Sequence, residues 1–261
     1  MRRPCDGEVQ VKKGTVIAAT SDIHGDTSGI LDVVRANNVD VLVIAGDIQP
    51  ASIYVQPDEW FQRKFFPLVA KLPCKVVSIP GNHDFWLASH LQTLGKIAPP
   101  NFTCLVDEMV TVNDINFWGS PWVPYINGNW CFEAEEGGDV MTDFLKRKFS
   151  KIPSTTDVLI THSPMRLGDS DYSLQYDVQK KRPFGSASLR DVLKDRERLP
   201  HLMFCGHIHS GSHKCEVFSN KKCPYNTYCY NVSRVDERYT IAYPIRVVEV
   251  RENSIIEYPY N

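Results

Sequence analysis

Short apolar runs recur along the chain, and each breaks off at once into a polar or glycine-bearing step. Thr15–Thr20 (TVIAAT), Val39–Ala45 (VDVLVIA) and Lys75–Ile79 (KVVSI) are dominated by apolar and β-branched residues, which predicts strands buried on both faces. Between the first two, Ile30, Leu31, Val33 and Val34 fall at helical spacing. That spacing predicts a helix over about residues 27–37, stopped at Asn37-Asn38. A second helix is predicted over about 58–71, between the second and third runs. Strand, helix, strand in this order means parallel pairing.

After a helix predicted over about 85–94 the pattern shortens to strands near 109–112 and 115–119, which read as a meander in a second sheet. Asp157–Thr161 (DVLIT) and Leu202–Cys205 (LMFC) are two more buried runs, with a helix over about 187–194 between them. Residues 234–250 supply late strands around a turn at Tyr243-Pro244. The stretches 121–138, 163–185 and 211–231 are irregular. Long loops in a compact fold are commonly functional, so these are candidate walls of a site.

At 261 residues the chain reads as one α/β domain over 1–261. Apolar residues at 43% and charged residues at 23% exclude a disordered or fibrous class. The first fourteen residues are polar with no apolar stretch, and no run approaches a membrane span, so the expectation is a cytoplasmic protein without a membrane partner. A net charge of −2 gives no general attraction for nucleic acid or anionic lipid. The eight cysteines form no CxxC pair and read as reduced thiols. Cys205, Cys215, Cys223 and Cys229 cluster beside His213 but lack the regular spacing of a zinc knuckle.

The candidate chemistry sits where the apolar runs end. Asp22-Ile23-His24, Gly46-Asp47, Gly81-Asn82-His83-Asp84, Thr161-His162-Ser163 and Gly206-His207-Ile208-His209 follow one another along the chain, and five of its eight histidines lie in them. In open α/β sheets the ligand crevice lies beyond the carboxyl ends of the strands, so these residues are expected at one rim. Aspartate and histidine together suit divalent manganese, iron or zinc.

Taken in order, these motifs resemble the DxH, GD, GNH(D/E), lone His and GHxH pattern of the calcineurin-like metallophosphoesterase superfamily, from about Ser21 to His209. The resemblance implies a four-layer αββα sandwich of two mixed sheets. It implies two divalent metal ions, the first held by Asp22, His24, Asp47 and His209. The second would be held by Asp47, Asn82, His162 and His207, with Asp47 as the bridge. A hydroxide shared by the metals would attack phosphorus in line. His83 would serve near the leaving group as proton donor or electrostatic stabiliser, with Asp84 orienting it. Two dications outweigh the charges of Asp22 and Asp47, so the site would attract an anion locally.

Within the superfamily, Gly46-Asp47 continues Ile48-Gln49-Pro50, without the arginine of the protein serine/threonine phosphatases or the tyrosine ligand of the purple acid phosphatases. Phe117–Trp122, Asp157–His162 and Phe204–His209 are similar to the small phosphodiesterase-like branch, which includes the class III cyclic nucleotide phosphodiesterases and the metallophosphoesterase-domain proteins. Ser163-Pro164-Met165 and Ser210 depart from that branch, which usually has Gly-Pro-Pro and an acidic residue at these places. The resemblance implies a phosphodiesterase acting on a small phosphoester, a cyclic or other nucleotide among the options. A nuclease or phosphomonoesterase on the same site is the alternative, and a catalytically silent protein-binding scaffold is the reading from another class. The missing basic stripe counts against a nuclease, and the intact ligand set with His83 counts against a scaffold. Trp86, Trp118, Trp122, Tyr125 and Trp130 offer faces on which a base could stack, though Trp118 and Trp122 read better as anchors in the packing. Lys180-Lys181-Arg182 reads as solvated surface or as a contact for a second phosphate.

Overall fold

The computed structural model describes residues 14–138, 142–167, 175–251 and 254–258. The buried runs pair as the strand–helix–strand order requires. β1 (Thr15–Thr20), β2 (Val41–Ala45), β3 (Lys75–Ile79) and β4 (Phe102–Cys104) lie side by side in parallel. The chain then crosses to a second sheet through the hairpin of β5 (Glu108–Val112) and β6 (Ile115–Ser120). A loop carrying the two-residue strands β7 (Val123–Pro124) and β8 (Glu133–Ala134) leads on to β9 (Val158–Thr161). A short hairpin, β10 (Tyr176–Asp177) and β11 (Arg182–Pro183), precedes β12 (Leu202–Cys205), β13 (Glu216–Phe218) and β14 (Thr227–Asn231). β15 (Arg246–Arg251) returns antiparallel to β1 and pairs with β16 (Ser254–Glu257). The sheet orders are β16-β15-β1-β2-β3-β4 and β13-β14-β12-β9-β6-β5.

Alternation of side chains across each sheet sets the layers. Ile17, Ala19, Val43 and Val77 of the first sheet pack against Phe117, Ile160, Phe204 and Tyr230 of the second. The other face of the first sheet, with Ala18, Leu42, Ile44 and Val76, is covered by Ile30, Val34, Phe61 and Phe65. Trp118, Leu159 and Met203 on the far face of the second sheet lie under Leu145, Phe149, Leu189 and Leu193. Helix, sheet, sheet, helix is thus the four-layer αββα sandwich. Each large apolar side chain so buried stabilises it by roughly 1.5–3 kcal/mol.

The helix expected over 58–71 comprises Pro57–Trp60, a π-turn at Phe61–Phe65 and Phe66–Val69. Pro67 explains the π-turn: it lacks an N–H and its ring crowds the carbonyl one turn back, and the wider turn ahead of it absorbs both. The helix expected over 27–37 spans Ile30–Ala36, and that over 187–194 spans Ala187–Leu193. The stretch 85–94 is instead a helix at Phe85–His90 followed, after a turn, by Leu94–Ile97.

Two sequence readings are corrected. Residues 211–231, expected to be irregular, contribute β13 and β14, and β14 runs parallel beside β12. Its sequence, Thr-Tyr-Cys-Tyr-Asn, has residues favoured in strands but no aliphatic run, the signal by which the other buried strands were read, even though Cys229 and Tyr230 are buried. The late strands begin at Arg246 and not near Arg234. Ahead of them the Asp236 carboxylate accepts from Arg238 N–H at 2.9 Å and Thr240 N–H at 3.0 Å, which closes a turn in place of a strand. Among the described residues, no three of the thiols of Cys205, Cys215, Cys223 and Cys229 and the imidazole of His213 gather within 4.8 Å, so these residues form no metal knot. No helix among the described residues is long and apolar enough to cross a membrane.

Candidate metal centre

All the motif residues sit just past the carboxyl ends of parallel strands. Asp22 and His24 follow β1, Asp47 follows β2, and Asn82, His83 and Asp84 follow β3. From the facing sheet, His162 follows β9, while His207 and His209 follow β12. Turning so sharply off a strand strains the backbone. Asp22, His24, Asp47 and His207 all take positive φ, at 49°, 41°, 53° and 68°. Such conformations are uncommon outside glycine and gather at functional sites. Two glycines admit the close approach of the loops. Gly46 has φ of 97°, and a Cβ there would lie 2.5 Å from His162 Nδ1; a Cβ on Gly206 would lie 2.1 Å from Asp22 Oδ2.

Asp47 is the hub. Its Oδ1 accepts from His83 N–H at 2.8 Å. Its Oδ2 lies 3.3 Å from His162 Nε2, 3.7 Å from His24 Nε2 and 4.0 Å from His83 Nε2. Asn82 Oδ1 is 3.0 Å from the same His162 nitrogen, whose ring partner Nδ1 faces Ala45 O at 2.8 Å. With Nδ1–H given to a carbonyl, Nε2 is the nitrogen aimed into the site, the arrangement usual for ligating histidines.

Asp22 forms the second focus. Its carboxylate accepts from His207 N–H at 3.0 and 3.1 Å and from Ser233 Oγ–H at 2.8 Å, and lies 3.3 Å from His209 Nε2. His209 Nδ1 faces Asp236 O at 3.1 Å. Asp22, His24 and His209 bring ligand atoms within 4.8 Å of one another, as do Asp22, Asp47 and His162. His207 falls outside both groups, its ring 5.2 Å from that of His162.

The electrostatics are those of a site that wants cations. Burial alone would raise the carboxyls of Asp22 and Asp47, but His209 beside the first and His162 beside the second hold both well below the usual range. The partners move the other way. Burial opposes their charge, yet Asp47 lifts His162 to about 9 and Asp22 lifts His209 to about 9. Protons on these two rings therefore stand in for positive charge that divalent ions would bring. His24 behaves differently: burial lowers it to about 4, and both its ring nitrogens are buried without a hydrogen-bond partner. A neutral imidazole with an unused lone pair beside Asp47 Oδ2 fits a metal ligand and has no other partner here. His207 is lowered to about 3 by burial and then by the neighbouring His162.

Asp84 is fully buried, and its carboxylate bonds run to the backbone. It accepts from Gly81 N–H at 2.7 Å, Gln49 N–H at 2.7 Å and Ile48 N–H at 2.9 Å. Any orienting of His83 thus passes through the loops, which Asp84 ties together. Burial and the charge of Asp47 push Asp84 up to about 7 despite these donors.

The family model for calcineurin-like phosphoesterases matches residues 15–211. The chain belongs to that family. Within this metal-dependent phosphoesterase family, it is 30% identical over 220 residues to metallophosphoesterase domain-containing protein 1 of Homo sapiens, covering 76% of this chain and 61% of that protein. It is 28% identical over 217 residues to the UPF0046 protein T07D4.2 of Caenorhabditis elegans, covering 72% of this chain and 50% of the other. The chain thus spans between half and two thirds of the length of these relatives. In fold it is similar to GAP50, the anchor in the inner membrane complex of Plasmodium, with a TM-score of 0.52, 15% identity, and coverage of 94% of this chain and 84% of that one.

Of the aromatic candidates, Trp86 and Trp118 are core, Trp86 stacked on Phe61 at 4.3 Å. Trp122 is an anchor, its indole N–H donated to Asp107 at 3.0 Å. Tyr125 is exposed, whereas Trp130 comes to the rim, its ring 4.3 Å from that of His83. Lys180 pairs with Asp177 at 3.4 Å on the short hairpin, and Val178 N–H donates to Ser210 Oγ at 3.1 Å. Sequence reasoning missed Ser233, Asp236 and Tyr239. Each is a single polar or aromatic residue in a loop with no motif around it, and only the tertiary fold brings it to the rim.

Proposed function

We propose that this phosphoesterase is a phosphodiesterase that hydrolyses a small phosphodiester, nucleotides included, with two divalent metal ions. The observation that carries the reading is the pairing of two buried carboxylates with imidazoles at one rim, His24 holding both nitrogens unused. In this reading Asp22, His24, Asp47 and His209 hold one ion, and Asp47, Asn82, His162 and His207 hold the other. Manganese, iron and zinc all suit the donors. Bound there, the ions would supply Lewis acidity toward the phosphoryl oxygens and make a water acidic enough to attack.

The chain's own residues do the rest. His83, partly exposed at the mouth with its N–H fixed on Asp47, is placed to give a proton to the departing oxygen. Asp84 acts behind it by holding the Gly46–Gln49 and Gly81–Asp84 loops together. Among the described residues, the basic side chains within 4.0 Å of the Asp22 and Asp47 carboxylates are all histidines. A singly charged diester fits such a site better than a dianionic monoester, which gains from an added arginine or lysine. We take residues 1–261 as one domain, and place it in the cytoplasm on the free thiols among the described residues.

The test is hydrolysis of bis-p-nitrophenyl phosphate against p-nitrophenyl phosphate, after EDTA treatment and after return of Mn²⁺, Zn²⁺ or Fe²⁺, with Asp47→Ala as control. Metal-restored cleavage that favours the diester and vanishes in the variant is expected. Preference for the monoester would reject the diesterase reading, and silence with every metal would reject catalysis.

A further inference from the structure

Two aromatic rings stand at the rim outside any apolar core. Trp130 is half-buried with its ring centroid 4.3 Å from that of His83, at 38°. Tyr239 is 48% exposed, and its ring meets His24 edge-on at 4.6 Å and His209 at 5.6 Å. His83 is common to both, its ring also 6.3 Å from that of Tyr239. Neither aromatic belongs to the three clusters that form the core.

Each ring is held by a loop anchored on the site itself. Cys131 N–H donates to Asn82 O at 3.1 Å, and Trp130 N–H donates to Glu133 Oε1 at 2.8 Å. The other oxygen of Glu133 takes Ile126 N–H at 2.7 Å and Asn127 N–H at 3.0 Å, so one carboxylate gathers the whole turn. On the other side, Tyr239 N–H donates to Asp236 O at 2.9 Å, and that carbonyl also faces His209 Nδ1. Two separate loops, tied to Asn82 and His209, therefore bring rings to the same mouth.

We propose that Trp130 and Tyr239 are specificity-determining walls of a subsite for a flat organic group on the phosphoester, an aryl ring or a nucleobase, in preference to an alkyl group. The inference rests on the phosphoester reading above. A group that leaves past His83 emerges beside the indole face, and stacking there rewards any flat ring whatever its hydrogen-bonding edge. An alkyl chain covers neither face as well.

The test uses the full chain loaded with Mn²⁺ and ligands that cannot be hydrolysed: phenylphosphonate, hexylphosphonate and inorganic phosphate, with affinities measured by calorimetry. Phosphate, lacking an organic group, is the baseline for each variant. The expected result is phenylphosphonate about tenfold tighter than hexylphosphonate, with the phenyl-to-phosphate affinity ratio falling about tenfold in Trp130→Ala, less in Tyr239→Ala, and retained in Trp130→Phe. Phosphate binding with no phenyl preference, or a preference that survives both alanine variants, would overturn the subsite and leave the phosphoester site standing. Failure of all three ligands to bind would overturn both.

Discussion

Removing the Ser233 hydroxyl separates a carboxylate that is aimed from one that is merely buried. Ser233 and Asp22 are both fully buried, and the hydroxyl donates to Asp22 Oδ2 at 2.8 Å. The same carboxylate keeps His207 N–H at 3.0 Å and His209 Nε2 at 3.3 Å, so Ser233→Ala removes one of three partners and little volume. A hydrogen bond to a charged group contributes about 1.5–3 kcal/mol, and the chelator-treated protein should lose about that in denaturant unfolding. If the hydroxyl also fixes the direction of Asp22, metal affinity should fall by about 10–100-fold, the usual effect of losing a partner that orients a ligand. The assay is competition with a chromophoric chelator for Mn²⁺ or Zn²⁺, run beside the unfolding curves. Lower stability with metal affinity inside twofold of the parent would refute the orienting role and leave Ser233 as packing.

His83→Ala should lower kcat by about 10²–10⁴-fold while metal content per chain stays at the parent value; a variant that loses its metals and recovers full rate when they return would count against the proton-donor role. Gly206→Ala places a Cβ 2.1 Å from Asp22 Oδ2 and equally close to Ser21 Oγ, so it should cost about 1–3 kcal/mol in unfolding free energy and weaken metal binding; parent-like values of both would show that the loop yields freely. Asp143 caps the helix Phe144–Phe149 through Lys146 N–H at 2.8 Å and also takes Gly137 N–H at 3.0 Å and the Ser188 hydroxyl. Burial opposes its charge, but these donors, Ser188 foremost, hold its pKa below the ordinary value. A depressed carboxyl stabilises the fold fully above the unfolded pKa near ~3.9 and loses that contribution as pH falls through the folded pKa. Asp143→Ala should therefore cost about 2–4 kcal/mol at pH 7, and the gap to the parent should begin to narrow as pH falls below about 4 and keep shrinking through the folded pKa; a gap that stays constant from pH 7 down to the acid limit of folding would refute the linkage.

The candidate site residues were legible as a group because they follow short β-branched apolar runs bounded by glycine and polar residues, which read as buried strands. A run such as TVIAAT, with Asp22 two residues past its end, fixes both a strand and the rim to which its carboxyl end points. The same logic located His162 and the His207–His209 pair from the second sheet. What stayed hidden depends on contacts across long sequence separations. Ser233 reaches Asp22 from 211 positions away, and β14 is placed by pairing parallel with β12 and antiparallel with β13. Trp130 was legible as a candidate, but its place beside His83 depends on the turn that Glu133 gathers and on the bond from Cys131 N–H to Asn82 O.

The aspartates of the rim do structural work before any metal arrives. Four residues there, Asp22, His24, Asp47 and His207, sit at positive φ, and a non-glycine residue in that region costs on the order of 1–2 kcal/mol. The opposing contributions are on the same loops. Asp84 accepts three backbone N–H groups from two of them, Asp47 accepts His83 N–H, and Asp22 accepts His207 N–H. Bonds to the ionised Asp22 and Asp47 contribute about 1.5–3 kcal/mol each, and those to Asp84, raised to about 7, about 0.5–1.5 kcal/mol each, together of the same order as the backbone strain. The carboxylates therefore shape the loops that carry the histidines, and the protonated His162 and His209 balance their charge meanwhile. Exchange of those protons for cations then requires little rearrangement of the backbone, which is the sense in which the rim is preorganised.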